Sequence, residues 1–233
     1  MEADFSGEQF IPGKTSKRIA EDHLARYTFA LPFVRDKAVL DIACGSGYGS
    51  QMLRDKGGAS SVDGVDISEN MIQYARAHFL SDNVIFTASD LIDYSSQKSY
   101  DVITSFETIE HIDDYKKGLQ KLHSLLIPGG TLLMSTPNRI ITSYHSHSLE
   151  DKPENPYHFR EFTVDELKRE LILCGFVVHD DDVYGHRQQR YFKNRYLRRL
   201  YKMLFNPDVT FSPQIQRLYA QPRSFLVVAR KAH

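Results

Sequence analysis

Tryptophan is absent from the 233 residues, and cysteine nearly so, with only Cys44 and Cys174 present. One bridge at most could form, which excludes a disulfide-stapled secreted scaffold. Both cysteines read as reduced thiols without a catalytic role. Long apolar runs are missing too: stretches such as 171–178 fall far short of the roughly 20 residues that cross a bilayer. Residues 1–10 carry acids where a signal peptide carries bases, so the chain reads as cytoplasmic. Neither charge sign dominates: 29 Lys and Arg face 30 Asp and Glu, a net charge of −1. That excludes a coat of one sign over the whole molecule. What is present, 41% hydrophobic and 25% charged residues, is an ordinary folding composition, and the length suits a single domain over 1–233 with an insertion.

Residues 1–14 read as an extended arm, and 16–34 place Ile19, His23, Leu24, Tyr27 and Leu31 at helical spacing. Together, residues 1–35 form an N-terminal arm and helix. An apolar run at 37–43 closes in Cys44-Gly-Ser-Gly-Tyr-Gly49 and continues into helix formers: a strand, a glycine turn and a helix. The unit recurs with strands at 60–67, 84–88 and 101–106, helices at 69–79 and 115–126, and a turn at Pro128-Gly-Gly130 feeding a strand at 131–136. Such alternation predicts an α/β fold: a doubly wound, mostly parallel, Rossmann-like sheet of seven strands with helices on both faces. The core spans 36–137. Residues 138–162 are irregular, rich in Pro, Asn, His and Ser, and read as a functional loop. Thr163 caps a helix that Gly175 ends; extended chain at 176–183 and a last strand at 224–229 flank a basic, aromatic insertion or cap at 184–222.

Asp41-Ile-Ala-Cys-Gly45-Ser-Gly47-Tyr-Gly49 lies at the carboxyl end of the first strand, where open α/β sheets bind ligands. Its spacing is G-x-G-x-G, with Ser50 where a dinucleotide loop has its third glycine, which argues against a nicotinamide-dependent dehydrogenase. The second strand ends in Asp66, a carboxylate placed to accept from both hydroxyls of a ribose. The bland alternative is a packing turn with Asp66 as a helix cap.

Four segments in order, Val39-Leu-Asp-Ile-Ala-Cys-Gly-Ser-Gly47, Asp66, Asp101-Val-Ile-Thr-Ser-Phe106 and Leu126-Ile-Pro-Gly-Gly-Thr-Leu-Leu133, resemble the class I S-adenosylmethionine-dependent methyltransferases. The resemblance implies S-adenosylmethionine as cofactor and makes 36–137 its binding core. It implies that Asp41, Ala43, Cys44, Gly45 and Gly47 hold the methionine part, Asp66 with Ile67 the ribose, and Asp90 and Leu91 the adenine, with Phe106 completing the set. Ala43 departs from the pattern, since many members have glycine there.

Glu107, Glu110 and His111 follow the strand that would end beside the reacting methyl group. In a helical turn they occupy i, i+3 and i+4 and share a face. His111 then serves as a general base for a hydroxyl acceptor. Alternatively Glu107, Glu110 and His111, with His158 from the loop, hold a divalent metal such as Mg²⁺ that orients the acceptor. The cluster is similar to those of ubiquinone-pathway O-methyltransferases and of small-RNA 3′-end 2′-O-methyltransferases, whose metal site uses a further histidine. Structural capping and ion pairing is the third alternative. His145 and His147 are weaker candidates, because a His-x-His in a loop is more often solvated.

From 186 to 202 the chain carries Arg187, Arg190, Lys193, Arg195, Arg198, Arg199 and Lys202 without an acid, which leaves the rest of the chain at −8. The segment reads either as a recognition surface for an anionic partner or as an amphipathic cover with its apolar side inward. The expected activity is methyl transfer from S-adenosylmethionine to an oxygen, less readily a nitrogen, of a polar small-molecule, anionic or sugar-bearing acceptor. Two alternatives are a metal-dependent RNA 2′-O-methyltransferase and a non-catalytic S-adenosylmethionine-binding regulatory subunit. Nucleic acid is disfavoured because the overall charge is not basic. Peripheral membrane contact and the oligomeric state stay open.

Overall fold

The computed structural model describes residues 15–79, 81–189, 194–205 and 214–233; the arm at 1–14 lies outside them. Helix α1 (Lys17–Ala30) leads into strand β1 (Ala38–Ile42), and then come α2 (Tyr48–Asp55), β2 (Ser61–Asp66), α3 (Glu69–His78) and β3 (Val84–Ala88). Next are β4 (Tyr100–Phe106), α4 (Tyr115–Leu125), β5 (Leu126–Pro137) and the single turn α5 (Arg139–Thr142). The chain finishes with α6 (Val164–Leu173), β6 (Phe176–Val177), β7 (Val183–Gln189), α7 (Arg195–Phe205), β8 (Gln216–Arg217) and β9 (Gln221–Lys231). Caps punctuate the helices as their sequences dictate. Ser68 accepts from the Met71 N–H at the start of α3, and Thr163 with Glu166 forms a capping box on α6. Gly175 takes the left-handed conformation, φ 93°, just past its end.

The strands lie in the order β3-β2-β1-β4-β5-β9-β7-β8, with β6 also paired to β9. The sheet has nine strands rather than seven, the additions being the two-residue β6 and β8. β1 to β5 run parallel, β9 is antiparallel to β5, and β7 is antiparallel to β9. Pro128-Gly129-Gly130 leaves the ladder as a bulge inside β5, between the pairs Tyr100–Leu126 and Val102–Thr131.

Period-two alternation builds both faces. Leu40, Ile103 and Leu132 pack with Leu119, Leu122, Leu167 and Leu171 of α4 and α6. Their chain neighbours Val39, Val102 and Leu133 pack on the other side with Tyr27, Ala30 and Leu53 of α1 and α2. The expected 184–222 insertion is shorter. Val183–Gln189 is a sheet strand and β9 starts at Gln221, so only 190–220 intervenes. β7 escaped the pattern because its buried positions include polar residues: His186, Arg187, Gln188 and Gln189 are all buried. Arg187 donates to Asp22 at 2.5 Å and lies 3.5 Å from Glu21, so its charge belongs to the interior and not to the basic surface.

Candidate active site

β1 neighbours both β2 and β4, so strand order reverses at its carboxyl end. There the chain encloses a cavity of about 890 Å³, lined by α1, the turn after β1, the ends of β2 and β4, and the loop after α5.

Asp41 lies beneath that floor. Its carboxylate accepts from the Tyr27 hydroxyl at 3.1 Å to both oxygens, from Ser50 Oγ at 2.6 Å and from Thr104 Oγ1 at 2.6 Å. Burial raises its pKa to about 6 against the pull of those three donors. The turn that follows leaves β1 through left-handed residues: Ala43 at φ 56°, Gly45 at 53° and Gly47 at 86°. Gly47 is a packing glycine, since a Cβ there would stand 2.6 Å from the Ala75 methyl. At Gly45 an added Cβ would meet nothing within 4 Å, and this peptide forms part of the cavity wall.

The Gly45 N–H donates to Asp66 Oδ2 at 2.8 Å, and the Ser68 N–H to Oδ1 at 2.9 Å. Burial nonetheless holds the Asp66 carboxyl above its ordinary pKa. Ala43, Cys44, Gly45, Asp66, Ile67, Asp90, Leu91 and Phe106 all line the cavity, whereas Asp41 and Gly47 do not. Ile67 exposes 73% of its surface there, an apolar wall next to the acid. Asp90 spends Oδ1 on the Ile92 N–H at 2.7 Å, so it also caps the following turn. Burial raises the Cys44 thiol pKa well above its ordinary value, as befits an inert thiol. A carboxylate at the end of β2, an apolar wall and a glycine peptide open to the cavity fit the polar and apolar parts of S-adenosylmethionine.

Beyond β4 the expected shared face is not formed. Ile109–His111 is a 3-10 turn, and Glu107 stands outside it at φ 50°, held by Ser135 through the backbone at 3.0 Å and through the hydroxyl at 2.8 Å. The other Glu107 oxygen pairs with Arg26 at 3.1 Å. Glu107 therefore leaves the group: the ligand atoms that lie within 4.8 Å of one another belong to Glu110, His111 and His158. Glu110 accepts from Thr136 at 2.9 Å, and its Oε1 is buried with no hydrogen-bond partner among the described residues. Burial, then the Glu107 charge, push its pKa well up.

The loop after α5 docks on this turn through the Phe159 N–H, which donates to the Glu110 carbonyl at 2.9 Å. It also fixes the imidazole: His111 Nδ1 lies 3.1 Å from the Tyr157 carbonyl, which only accepts, so Nδ1 carries the proton and Nε2 the lone pair. His158 stacks edge-on to His111 at 4.7 Å. It is bridged by Glu161 at Nδ1, 2.7 Å, and Asn155 at Nε2, 2.9 Å. Asn155 Oδ1 accepts from the Tyr157 N–H, so its amide nitrogen is the end that faces His158. Burial pushes the Glu161 pKa up, but the hydrogen bonds from His158 and Thr142 outweigh it and hold the carboxyl below its ordinary value. His145 and His147 are exposed and off the cavity wall.

A family model described as Methyltransferase domain matches residues 15–180. A protein of Mycolicibacterium smegmatis named as a probable S-adenosylmethionine-dependent methyltransferase is 33% identical over 177 residues, 75% of this chain and 66% of its own length. The chain thus spans under two thirds of that relative. A ubiquinone biosynthesis O-methyltransferase of Pseudomonas aeruginosa is 32% identical over 193 residues, 78% of each chain. Among solved structures, an S-adenosylmethionine-dependent methyltransferase of Mesorhizobium loti superimposes with a TM-score of 0.63 at 21% identity, over 90% of this chain and 98% of the other. The N-methyltransferase NodS of Bradyrhizobium japonicum, solved with S-adenosyl-L-homocysteine, gives 0.62 at 14%, over 94% and 90%. With the glycine turn after β1, the carboxylate that ends β2 and the cavity between them already in place, these matches show that the chain belongs to the class I methyltransferases whose cofactor is S-adenosylmethionine.

Proposed function

We propose that the chain transfers the methyl group of S-adenosylmethionine to a hydroxyl oxygen of a polar acceptor, with His111 as general base. The bound donor supplies an electrophilic methyl carbon: the acceptor oxygen bonds to it, the carbon–sulfur bond breaks, and the electron pair stays on sulfur in S-adenosylhomocysteine. The chain's own work is positioning and proton removal. Asp66 and Gly45 fix one side of the cavity, and His111 stands on its wall past the end of β4. The observation that carries the reading is the contact of His111 Nδ1 with the Tyr157 carbonyl, which assigns the basic lone pair to Nε2. A neutral hydroxyl needs such a base, because its proton must leave as the new bond forms.

Oxygen is favoured over nitrogen by the relative named as an O-methyltransferase, matched over most of both chains, whereas the N-methyltransferase shares the fold at 14% identity. Arg18, His23, Tyr144, Asn155, Tyr157 and Arg223 line the remaining walls. Such a set hydrogen-bonds hydroxyls and pairs with an anionic group, which supports a polar, anionic or sugar-bearing acceptor.

A second reading has one specific observation behind it. The unpartnered buried Oε1 of Glu110, gathered with His111 and His158, suits a divalent cation that would hold the acceptor oxygen and would displace the Asn155 amide from the His158 Nε2 lone pair. The experiment is an acceptor screen with methyl-labelled donor, run with and without chelator. Labelled catechol-like or sugar hydroxyls support oxygen transfer; label appearing only on amines overturns it.

A further inference from the structure

Of the basic segment read either as a recognition surface or as a cover with its apolar side inward, residues 190–193 lie outside the described residues and 195–202 belong to α7. On α7 five large apolar residues face solvent: Tyr196 is 67% exposed, Leu197 51%, Leu200 46%, Met203 73% and Leu204 62%. Five of the fifteen large apolar side chains exposed among the described residues thus crowd onto eleven residues. Their order is not random. At about 100° per residue, positions 196, 197, 200, 203 and 204 fall within an arc of about 120°, while 195, 198, 199 and 202, all Arg or Lys, fall within about 100° on another side. The helix holds no acid.

Its place in the fold matters equally. β7 runs antiparallel to β9, and its last residue, Gln189, pairs with Gln221, beyond the pair His186–Ser224. His186 and Ser224 both line the cavity. The chain therefore leaves β7 at the cavity end of the sheet. The six-residue step from Gln189 to Arg195 spans at most about 20 Å, so α7 begins within that distance of the cavity end of β7.

We propose that α7 docks the protein on an anionic phospholipid bilayer, its apolar arc sunk among the acyl chains at the headgroup level and its Arg and Lys arc against the lipid phosphates. Aliphatic Leu197, Leu200, Met203 and Leu204 favour a bilayer over RNA, since phosphate binding has no use for an aliphatic face. A net charge of −1 for the whole chain makes the recognition local: this helix is the attracted element on a molecule that a membrane otherwise does not attract. Resting on the proposed methyl transfer, such docking holds a lipid-borne acceptor at the membrane surface within reach of the cavity end of the sheet.

Vesicle flotation tests the docking without turnover. The full chain is mixed with vesicles of phosphatidylcholine alone or of equal parts phosphatidylcholine and phosphatidylglycerol, with donor binding followed by calorimetry as a control for folding. Binding to the anionic vesicles is expected to be at least about tenfold tighter and to weaken with salt. Leu197→Gln/Leu200→Gln/Leu204→Gln and, separately, Arg199→Glu/Lys202→Glu are each expected to lower it at least about tenfold while donor affinity holds. Equal affinity for both vesicle types, or variants that bind as wild type does, overturns the proposal. So does a wild type that ignores vesicles but forms a dimer lost in the triple-Gln variant, or that binds a short RNA in place of lipid. Failure of the acceptor screen with vesicle binding intact removes the methyl-transfer reading and leaves the docking helix standing.

Discussion

The Tyr27 ring lies directly on Gly49: a Cβ built at Gly49 would stand 2.0 Å from Tyr27 Cζ, while the hydroxyl of the same ring reaches both oxygens of Asp41. The last glycine of the motif therefore serves α1 and not the cofactor, and α1 is clamped over the carboxylate that underlies the binding turn. Gly49→Ala is expected to cost about 3 kcal/mol or to prevent folding, because the contact is with a buried ring that has nowhere to go. Tyr27→Phe keeps the ring and is expected neither to rescue that variant nor to spare stability, losing about 1–3 kcal/mol as Asp41 gives up a donor. Tyr27→Ala in the Gly49→Ala background is expected to recover part of the loss. Urea midpoints of wild type and the variants check the set, and a Gly49→Ala protein as stable as wild type would remove Tyr27 from its place.

Asp41 also sets a pH dependence. Its folded pKa is about 6 against an ordinary 3.8. Between those values the folded chain holds a proton that the unfolded chain has released, so the stability contributed by this residue falls as pH rises through about 4 to 6. The full swing is about 3 kcal/mol. Asp41→Asn has no such titration. Relative to that variant, wild type is expected to be more stable at pH 4.5 than at pH 7, as measured by melting temperatures across the range. A constant difference would mean that Asp41 ionises in the fold as it does in water.

What could be read from the sequence follows from which signals are local. The strand and glycine-turn pattern located β1 to β5, and Thr163 with Gly175 bounded α6, because periodicity and caps depend on neighbours in the chain. The polar strand β7 and the buried network around Asp41 depend on partners far apart in sequence. Tyr27, Ser50 and Thr104 converge on Asp41 from α1, α2 and β4, and nothing in their local sequence marks them. Glu107 misled for the same reason: its spacing suits a helical face, but Ser135 on β5 and Arg26 on α1 hold it in a left-handed conformation. Asn155 and Glu161, which bracket His158, were likewise silent until the loop was seen docked on the Glu110 carbonyl.

Ala43 stands where relatives of this sequence type often carry glycine, and its φ of 56° shows why glycine suits the position. A left-handed alanine costs about 1–2 kcal/mol, offset in part by the greater chain entropy that glycine loses on folding, about 0.5–1 kcal/mol. Ala43→Gly is therefore expected to stabilise the protein by about 0.5–1 kcal/mol. Thermal unfolding at neutral pH checks it; a destabilised variant would show that the methyl group packs usefully against its surroundings.

The cluster after β4 separates its two chemical roles through three single variants and one reagent. His111→Ala removes the imidazole whose lone pair faces away from the Tyr157 carbonyl, and turnover on a hydroxyl acceptor is expected to fall by roughly 10²-fold or more while donor affinity holds, because proton removal belongs to the chemical step. Glu107→Ala is expected to behave differently from the other two. It strips the partner from buried Arg26, so its cost, about 3 kcal/mol, appears first in unfolding. Glu110→Gln decides between the mechanisms. With a metal-free base the amide replaces a buried carboxyl whose pKa burial raises, and turnover is expected to stay within about threefold of wild type, since the Thr136 hydroxyl keeps an acceptor. With a metal the same change removes a ligand, and the loss is expected to match that of His111→Ala and to be reproduced by chelation. Single-turnover rates on one hydroxyl acceptor, with and without chelator, distinguish the two patterns; normal turnover in His111→Ala would take the base away from this cluster altogether.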